Sequence, residues 1–148
     1  MQSTRWMPLL LLLLVGLVWN AGAEEGPKHK EGADAGIVFT DAKWAAILKK
    51  AKAENKIIFL DAYASWCGPC KLLQKHVFTK KEVGDYFNKR FINVKMDMEQ
   101  GEGPALARQY PLEAYPTLFF IDGNGRVVKK VIGAQSADAL IAIGKSVK

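Results

Sequence analysis

The two cysteines of this 148-residue chain both lie in the stretch "DAYASWCGPCK", residues 61–71. Cys67 and Cys70 are separated only by Gly68 and Pro69. Two cysteines at this spacing support three kinds of chemistry: a structural disulfide, half of a metal site, or reversible exchange between dithiol and disulfide. The remainder of the sequence distinguishes among these three.

The structural and the metal-binding interpretations both find little support. A bridge across so short a loop restricts the unfolded chain little, and a domain of about 110 residues can bury enough apolar surface without a cross-link. A Cys₂His₂ zinc site would need both His29 and His76, which do not form a closely spaced ligand pair. We therefore expect no metal and favour reversible exchange.

Exchange needs one reactive and one protected sulfur. The apolar run Ile57 to Ala62 predicts a buried strand, and helix-forming residues follow from Cys70 to Val77, so Cys67 lies where the helix begins. Unpaired backbone N–H groups and the positive end of the helix dipole favour a thiolate there. We predict that Cys67 is the exposed nucleophile, and that Cys70, one turn further on the same face, is the shielded resolving cysteine.

Three neighbours of the cysteines suit the same chemistry. Gly68 lets a substrate backbone come close, and Pro69 lacks an N–H that the first helical turn does not use. Asp61 lies inside the apolar stretch "IIFLDAYA", where an unpaired charge would be costly. We expect Asp61 to have a raised pKa and a role in the chemistry, with a paired structural carboxylate as the alternative.

Alternating strand and helix patterns must position these residues. The patterns predict strands and helices in this order: a strand at 37–39, a helix capped by Thr40 or Asp41, a strand at 57–62, a helix at 70–77, a helix opened by a capping box at 79–82, a strand at 91–96, a short helix from Pro104, strands at 117–121 and 127–132 around "DGNG", and a helix capped by Ser136. The βαβ units predict parallel strands, and the hairpin adds antiparallel ones. We therefore predict an α/β fold with a mixed central sheet flanked by helices on both faces.

The N-terminus has the features of a secretory signal. Arg5 precedes an apolar run from Leu9 to Val18, and residues 21–23 are a small-residue Ala-Gly-Ala site. We predict a signal peptide at 1–23, a flexible linker at 24–35 and one domain at 36–148. The alternative is an uncleaved segment that anchors the chain to a membrane.

The overall charge points to no special partner. The formal net charge is +6, but no Arg-rich run is interleaved with aromatic residues, so we expect no nucleic-acid binding. The sequence has no nicotinamide or flavin fingerprint, and we expect no cofactor. We expect the chain to act as a monomer.

Two stretches carry a family resemblance. "FLDAYASWCGPCK" resembles the active-site segment of the thioredoxin family, and "AYPTLFFIDGNGRVV" resembles that family's cis-proline loop and following hairpin. The segment between them is similar to the thioredoxin-like C-terminal domain of the DsbD thiol:disulfide interchange proteins. The resemblance covers about residues 37–147 and implies a thioredoxin fold with thiol-disulfide exchange as its activity.

The resemblance also implies a role for each matching residue. Cys67 and Cys70 match the redox pair that forms a disulfide, Asp61 matches a buried acid that assists proton transfer at the second cysteine, and Lys95 matches the usual partner of that acid. The residues that match the substrate groove are Trp66, Gly68, Pro69, Tyr115, Pro116 in the cis form, and Thr117. Packing alone is the alternative role for Trp66, and Tyr115 is a groove wall.

Direction and partners follow from the resemblance as well. The Gly-Pro dipeptide resembles that of reducing members, so we predict a reductase of disulfides in exported, periplasmic proteins, supplied with electrons by a DsbD-like membrane thiol donor. The alternatives are an oxidase or isomerase of exported proteins, and a binding module that uses the groove without turnover. The loop between Lys95 and Tyr115 is longer than in thioredoxin, which leaves partner choice open.

Overall fold

The structure of the chain is a computed structural model that describes residues 35–148. The predicted signal peptide and all but the last residue of the predicted linker lie outside these residues. The elements within them are α1 Trp44–Glu54, β1 Ile57–Tyr63, α2 Gly68–His76, α3 Lys81–Arg90, β2 Phe91–Asp97, α4 Gly103–Gln109, β3 Thr117–Ile121, β4 Val127–Ile132 and α5 Ala137–Ser146. None of these helices has the length and apolar character needed to cross a membrane.

The four strands form one mixed sheet in the order β2-β1-β3-β4. β1 pairs with β2 in parallel and with β3 antiparallel, and β3 pairs with β4 antiparallel. The prediction of a mixed sheet flanked by helices is therefore confirmed. β1 occupies a central position, which explains why its residues from Ile58 to Ala62 are all buried.

The alternation of side chains along β1 divides the core into two clusters. Ile58 and Leu60 pack in one cluster with residues of α1 and α4, among them Trp44, Ile47, Ala51 and Leu106. Phe59 packs in the other with residues of α2, α3 and α5, among them Leu73, Val83, Phe87 and Leu140. Because successive side chains of a strand point to opposite faces, Asp61 faces the same layer as Phe59, the one that contains α2.

The strand predicted at 37–39 is wrong: this segment has no regular secondary structure and joins no ladder of the sheet. Its donors are taken by groups outside the strands. The N–H of Val38 donates to Oδ1 of Asn88 on α3 at 2.9 Å, and the N–H of Ile37 donates to the carbonyl of Phe78 at 2.7 Å. A helix side chain and a loop carbonyl thus replace the neighbouring strand that the apolar pattern predicted.

Two of the predicted helix starts are also wrong, and one is confirmed. The hydroxyl of Thr79 donates to the carbonyl of Lys75 at 2.7 Å, so α3 begins without a capping box. At α1, the N–H of Trp44 donates to Oε2 of Glu102 at 3.2 Å, so a carboxylate distant in sequence replaces the local caps that we predicted. The predicted cap of α5 is confirmed, because the Ser136 side chain accepts from the backbone of the helix's first turn.

Gly103 fixes the loop that follows β2. A Cβ atom at this position would overlap the carbonyl oxygen of Asp97, the last residue of β2. The start of α4 therefore packs directly on the end of β2, and only glycine allows this approach. The contact places the loop before α4 at the same edge of the sheet as the end of β1.

Candidate active site

The cysteine pair forms a disulfide at the start of α2. The S–S distance is 2.09 Å, and the two Cα atoms are 5.4 Å apart. Cys67 is the N-cap residue of α2, its sulfur accepts from the N–H of Cys70 at 3.2 Å, and Pro69 lies in the first turn. The helix start predicted from the sequence therefore places Cys67 at the end of α2 where donors are free.

The predicted exposure of Cys67 is not seen in the disulfide form. Cys67 is 2% exposed and Cys70 is 1% exposed. Tyr63 and Tyr115 pack against the cluster that contains both sulfurs, which accounts for their burial. Apart from its chain neighbours and the backbone of its own helix, a Cβ atom added at Gly68 would meet no atom of residues 35–148 within 4 Å, so the open approach to the disulfide lies over this glycine.

Trp66 stands beside the disulfide, largely in solvent, and is 67% exposed. Its indole Nε1 donates to Oε2 of Glu99 at 2.9 Å, and its ring meets that of Tyr115 edge to face at 5.7 Å. Sequence reasoning missed Glu99. The predicted parallel pairing of β1 and β2 could have indicated it. The loops that follow two parallel strands, which carry Trp66 and Glu99, emerge at the same edge of the sheet.

The cis-proline loop lies on the other side of this site, next to β3. The Tyr115–Pro116 peptide bond is cis, which is the isomer that the resemblance implies. The hydroxyl of the buried Thr117 donates to the carbonyl of Ala114 at 2.7 Å, and the N–H of Gly133 donates to the carbonyl of Pro116 at 2.8 Å. These bonds tie the loop to the first residues of β3 and the end of β4.

A groove of about 510 Å³ extends from Trp66 along the loop before Pro116. Its lining is mainly apolar and consists of Trp66, Ala107, Pro111, Leu112, Glu113, Ala114 and Tyr115. The groove is thus built largely from the loop between Lys95 and Tyr115. This segment, at which the sequence leaves partner choice open, lies next to Trp66 of the cysteine motif.

Asp61 lies in the interior and is 0% exposed. Burial raises its pKa to about 7, against the opposing effects of a hydrogen bond from Gln74 and the positive charge of Lys95. Nε2 of Gln74 donates to Oδ2 of Asp61 at 3.2 Å, whereas Oδ1 has no hydrogen-bond partner among the described residues. Gln74 is four residues after Cys70 on α2, so both side chains are on the helix face turned towards Asp61.

Lys95 lies near Asp61 without contacting it through a hydrogen bond. The two residues are register partners on β1 and β2, so their side chains share a face of the sheet. Lys95 is exposed, and its Nζ lies 5.6 Å from the centre of the Phe39 ring. Lys95 therefore acts on Asp61 through its charge, while the hydrogen-bond donor is Gln74. Gln74 was not predicted from the sequence, although its spacing of four residues from Cys70 places it on the same helix face.

Comparisons with known proteins agree with this geometry. Residues 44–148 match the family described as Thioredoxin-like domain. Thioredoxin H4 of Arabidopsis thaliana is 35% identical over 106 residues, which are 72% of this chain and 84% of that protein. The thiol:disulfide interchange protein DsbD of Tatumella citrea is 30% identical over 95 residues, which are 62% of this chain and 16% of that longer protein.

Two solved structures are similar over most of the described residues. A candidate disulphide-isomerase from Bacteroides thetaiotaomicron has a TM-score of 0.67 and 43% identity, with 79% of this chain and 99% of that chain covered. The C-terminal domain of Neisseria meningitidis DsbD, in its oxidised form, has a TM-score of 0.61 and 27% identity, with 75% of this chain and 99% of that chain covered. With residues 44–148 matched to the family, the chain belongs to the thioredoxin family and is a thiol-disulfide oxidoreductase.

Proposed function

We propose that this protein reduces disulfides of exported proteins through Cys67 and Cys70. One observation supports the assignment of the nucleophile above all: Cys67 caps α2, and its sulfur accepts the N–H of Cys70 at 3.2 Å. A negative sulfur at this position is stabilised by that donor and by the helix dipole. Cys67 therefore attacks, and Cys70 resolves.

The reaction has two steps that balance in electrons and protons. The Cys67 thiolate attacks one sulfur of the partner disulfide, which breaks the partner's S–S bond and releases its other sulfur as a thiolate that takes a proton from water. Cys70 then gives its proton to Asp61 and attacks the Cys67 sulfur, which forms the Cys67–Cys70 disulfide and releases the second partner sulfur as a thiolate that takes a proton from water. The partner gains two electrons, and the cysteine pair loses them.

Asp61 suits the second step because its properties match those of a proton acceptor for a buried thiol. Its pKa of about 7 lets the carboxylate take up and release a proton near neutral pH. The helix that carries its hydrogen-bond donor Gln74 also carries Cys70, which is 1% exposed and has little access to water for the same purpose. Lys95, its register partner on β2, favours the charged carboxylate and so assists the return of the proton to solvent.

The groove gives the partner a place to bind. Trp66 and Tyr115 form one wall, Pro116 and Thr117 support the loop opposite the cysteines, and the space over Gly68 is open with respect to the described residues. An apolar groove of this kind accepts an extended segment of the partner on either side of its disulfide. Residues 111–114, which line the groove, then contact the partner and select it.

Electrons must come from another thiol protein, since the sequence has no nicotinamide or flavin fingerprint. We propose a DsbD-like membrane thiol donor and a periplasmic location. The support is the N-terminal segment 1–23, with its basic, apolar and small-residue parts, and the similarity to the DsbD C-terminal domain. Retention of that segment as a membrane anchor is the alternative.

Trapping of partners tests the proposal. The Cys70→Ser variant keeps the nucleophile but cannot resolve the mixed disulfide, so it should accumulate covalent complexes with exported proteins after acid quenching and alkylation. The matched Cys67→Ser variant should accumulate none. Equal trapping by both variants, or none by Cys70→Ser, would contradict the proposal and favour a binding module that acts without turnover.

Isomerisation is a second candidate, favoured by the 43% identity to the candidate disulphide-isomerase of Bacteroides thetaiotaomicron. An isomerase attacks a wrong disulfide through its nucleophile and lets the client rearrange, so it does not require resolution by the second cysteine. Reactivation of a scrambled disulfide protein separates the two functions. Activity that persists in Cys70→Ser indicates isomerisation, and loss of activity indicates net reduction through both cysteines.

A further inference from the structure

A second pocket is lined by residues that act on the buried acid Asp61. It has a volume of about 410 Å³ and is lined by Gly36, Ile37, Phe39, Gln74, Phe78, Thr79 and Lys95. Two of these residues, Gln74 and Lys95, are the ones that act on Asp61. The carboxylate itself is 0% exposed, whereas Gln74 both lines this pocket and donates a hydrogen bond to the carboxylate.

The hydrogen bond of Gln74 distinguishes the two oxygens of the carboxylate. Nε2 of Gln74 donates to Oδ2 at 3.2 Å, and Oδ1 is buried without a partner in the described part of the chain. The donor is on α2, one turn after Cys70, so the same helix carries both the thiol that gives up a proton and the amide that holds the acceptor. The amide therefore fixes which way the carboxylate is turned.

We propose that Gln74 is a positioning residue of the exchange reaction, which orients the Asp61 carboxylate for Cys70 and connects it to solvent through the pocket that Gln74 lines. The proposal rests on the proposed function of Asp61 as the proton acceptor of Cys70. Gln74 contacts neither the cysteines nor the partner in this role. Its effect reaches the reaction only through Asp61.

The groups around Asp61 define what Gln74 contributes. β2 provides the charge of Lys95, β1 itself provides Tyr63, and Leu118, the register partner on β3, is apolar. α2 provides the uncharged amide of Gln74 and Cys70, which does not titrate while the disulfide is formed. Burial favours the neutral acid, whereas the Gln74 amide and the Lys95 charge favour the carboxylate. Without the Gln74 amide, only the charge of Lys95 opposes the effect of burial. The pKa of Asp61 should therefore rise, and its neutral form should persist to higher pH.

A titration of Asp61 in the full chain with the Cys67–Cys70 disulfide formed tests this directly. The side-chain carboxyl carbon is followed by NMR across pH in the wild type, in Gln74→Leu, which has a similar size and no donor, and in Gln74→Glu, which adds a like charge. We expect Gln74→Leu to raise the titration midpoint by about one pH unit, or tenfold in proton affinity, and Gln74→Glu to raise it further. Gln100→Leu, at an exposed glutamine, is the matched control and should not move it.

The second readout is the rate at which a preformed mixed disulfide on Cys67 is resolved, measured across pH. The rise of this rate should move to higher pH in Gln74→Leu by the same amount as the Asp61 midpoint. In an Asp61→Asn background the Gln74→Leu change should leave the pH dependence unaltered, a result that a merely structural role would not give. Each variant is first shown to be folded by circular dichroism.

The outcomes separate this proposal from the function on which it rests. If Asp61 titrates with the same midpoint in folded Gln74→Leu and Gln74→Glu as in the wild type, the proposed role of Gln74 is wrong. If Asp61→Asn resolves the mixed disulfide at the wild-type rate and with the wild-type pH profile, the proposed role of Asp61 is wrong, and Gln74 has no role in the reaction. If Cys67→Ser still reduces disulfides, the proposed function itself fails.

Discussion

The indole N–H of Trp66 donates a 2.9 Å hydrogen bond to the carboxylate of Glu99, and this bond holds an exposed aromatic ring beside the disulfide. The ring also meets Tyr115 edge to face. Two loops that are 33 residues apart in sequence thus fix the position of one groove wall. An exposed tryptophan without these contacts would sample several rotamers.

The substitution Glu99→Gln should therefore weaken the binding of protein disulfides in the groove without changing the reactivity of the cysteines. The amide oxygen of glutamine can still accept from the indole N–H but carries no charge, and the loss of a charged acceptor costs about 1 kcal/mol, so we expect kcat/KM for protein disulfides to fall about fivefold. Reduction of a small disulfide, which does not need the groove, should keep its rate. Glu82→Gln, an exposed change on α3, is the control; an equal loss for both substrates would show that Glu99 acts on the cysteines instead.

The buried Asp61 should make stability depend on pH. Its pKa is about 7 in the folded protein against 3.8 without the fold, so between these values the folded state binds more protons than the unfolded state. The free energy of unfolding should therefore fall as pH rises from about 4 to about 7, by about 4 kcal/mol, and level off above. Below this range both states are protonated and the dependence disappears.

The Asp61→Asn variant checks the sign of this dependence. Urea unfolding of the oxidised protein should show the variant to be more stable than the wild type at about pH 8, with a difference that shrinks towards about pH 4. Asp41→Asn, at an exposed aspartate, should follow the wild-type curve. A wild-type protein that gains stability through Asp61 as pH rises over this range would mean that this carboxylate is paired and structural.

The contact of Gly103 with the end of β2 predicts a cost for any side chain there. Because a Cβ atom would overlap the Asp97 carbonyl, Gly103→Ala must displace α4, and we expect a loss of about 1–3 kcal/mol in the free energy of unfolding. Thermal and urea unfolding measure this loss. Gly68→Ala provides the matched control, since its Cβ meets no described residue within 4 Å apart from its chain neighbours and the backbone of its own helix, and equal stability of the two variants would refute the packing argument.

Gly68→Ala also has an effect of its own on exchange. The added methyl group occupies the open approach to the disulfide, so protein disulfides should react several-fold more slowly while stability is retained. Stopped-flow mixing of the reduced variant with a protein disulfide and with a small disulfide measures the two rates. An unchanged rate with the protein disulfide would show that partners approach from another side.

The parts of the fold that depend on local pattern were predictable from the sequence. The apolar run that became β1 and the two hairpin strands, 117–121 and 127–132, were predicted within one residue of their ends. A continuous apolar run predicts the buried strand β1, and the turn residues of "DGNG" predict the two hairpin strands, so each can be identified from its own stretch of sequence. The segment 37–39 has the same apolar character, but its donors reach Asn88 and Phe78, and no local pattern contains that information.

The candidate site divides in the same way. The position of Cys67 at a helix start follows from a strand that runs into a helix, and it was predicted. Gln74 and Glu99 were missed because their partners, Asp61 and Trp66, are 13 and 33 residues away and meet them only when α2 and the loop after β2 have packed. The burial of Cys67 was missed for the same reason, since Tyr115 covers it from the cis-proline loop.

The reduction potential of the Cys67–Cys70 disulfide tests the proposed direction of electron flow most directly. The full chain is equilibrated with thiol buffers of known potential, and the reduced fraction is measured by alkylation. We predict a value near that of thioredoxin, about −270 mV, at which the dithiol form donates electrons to protein disulfides. A value near that of DsbA, about −120 mV, would contradict the account and make this protein an oxidase.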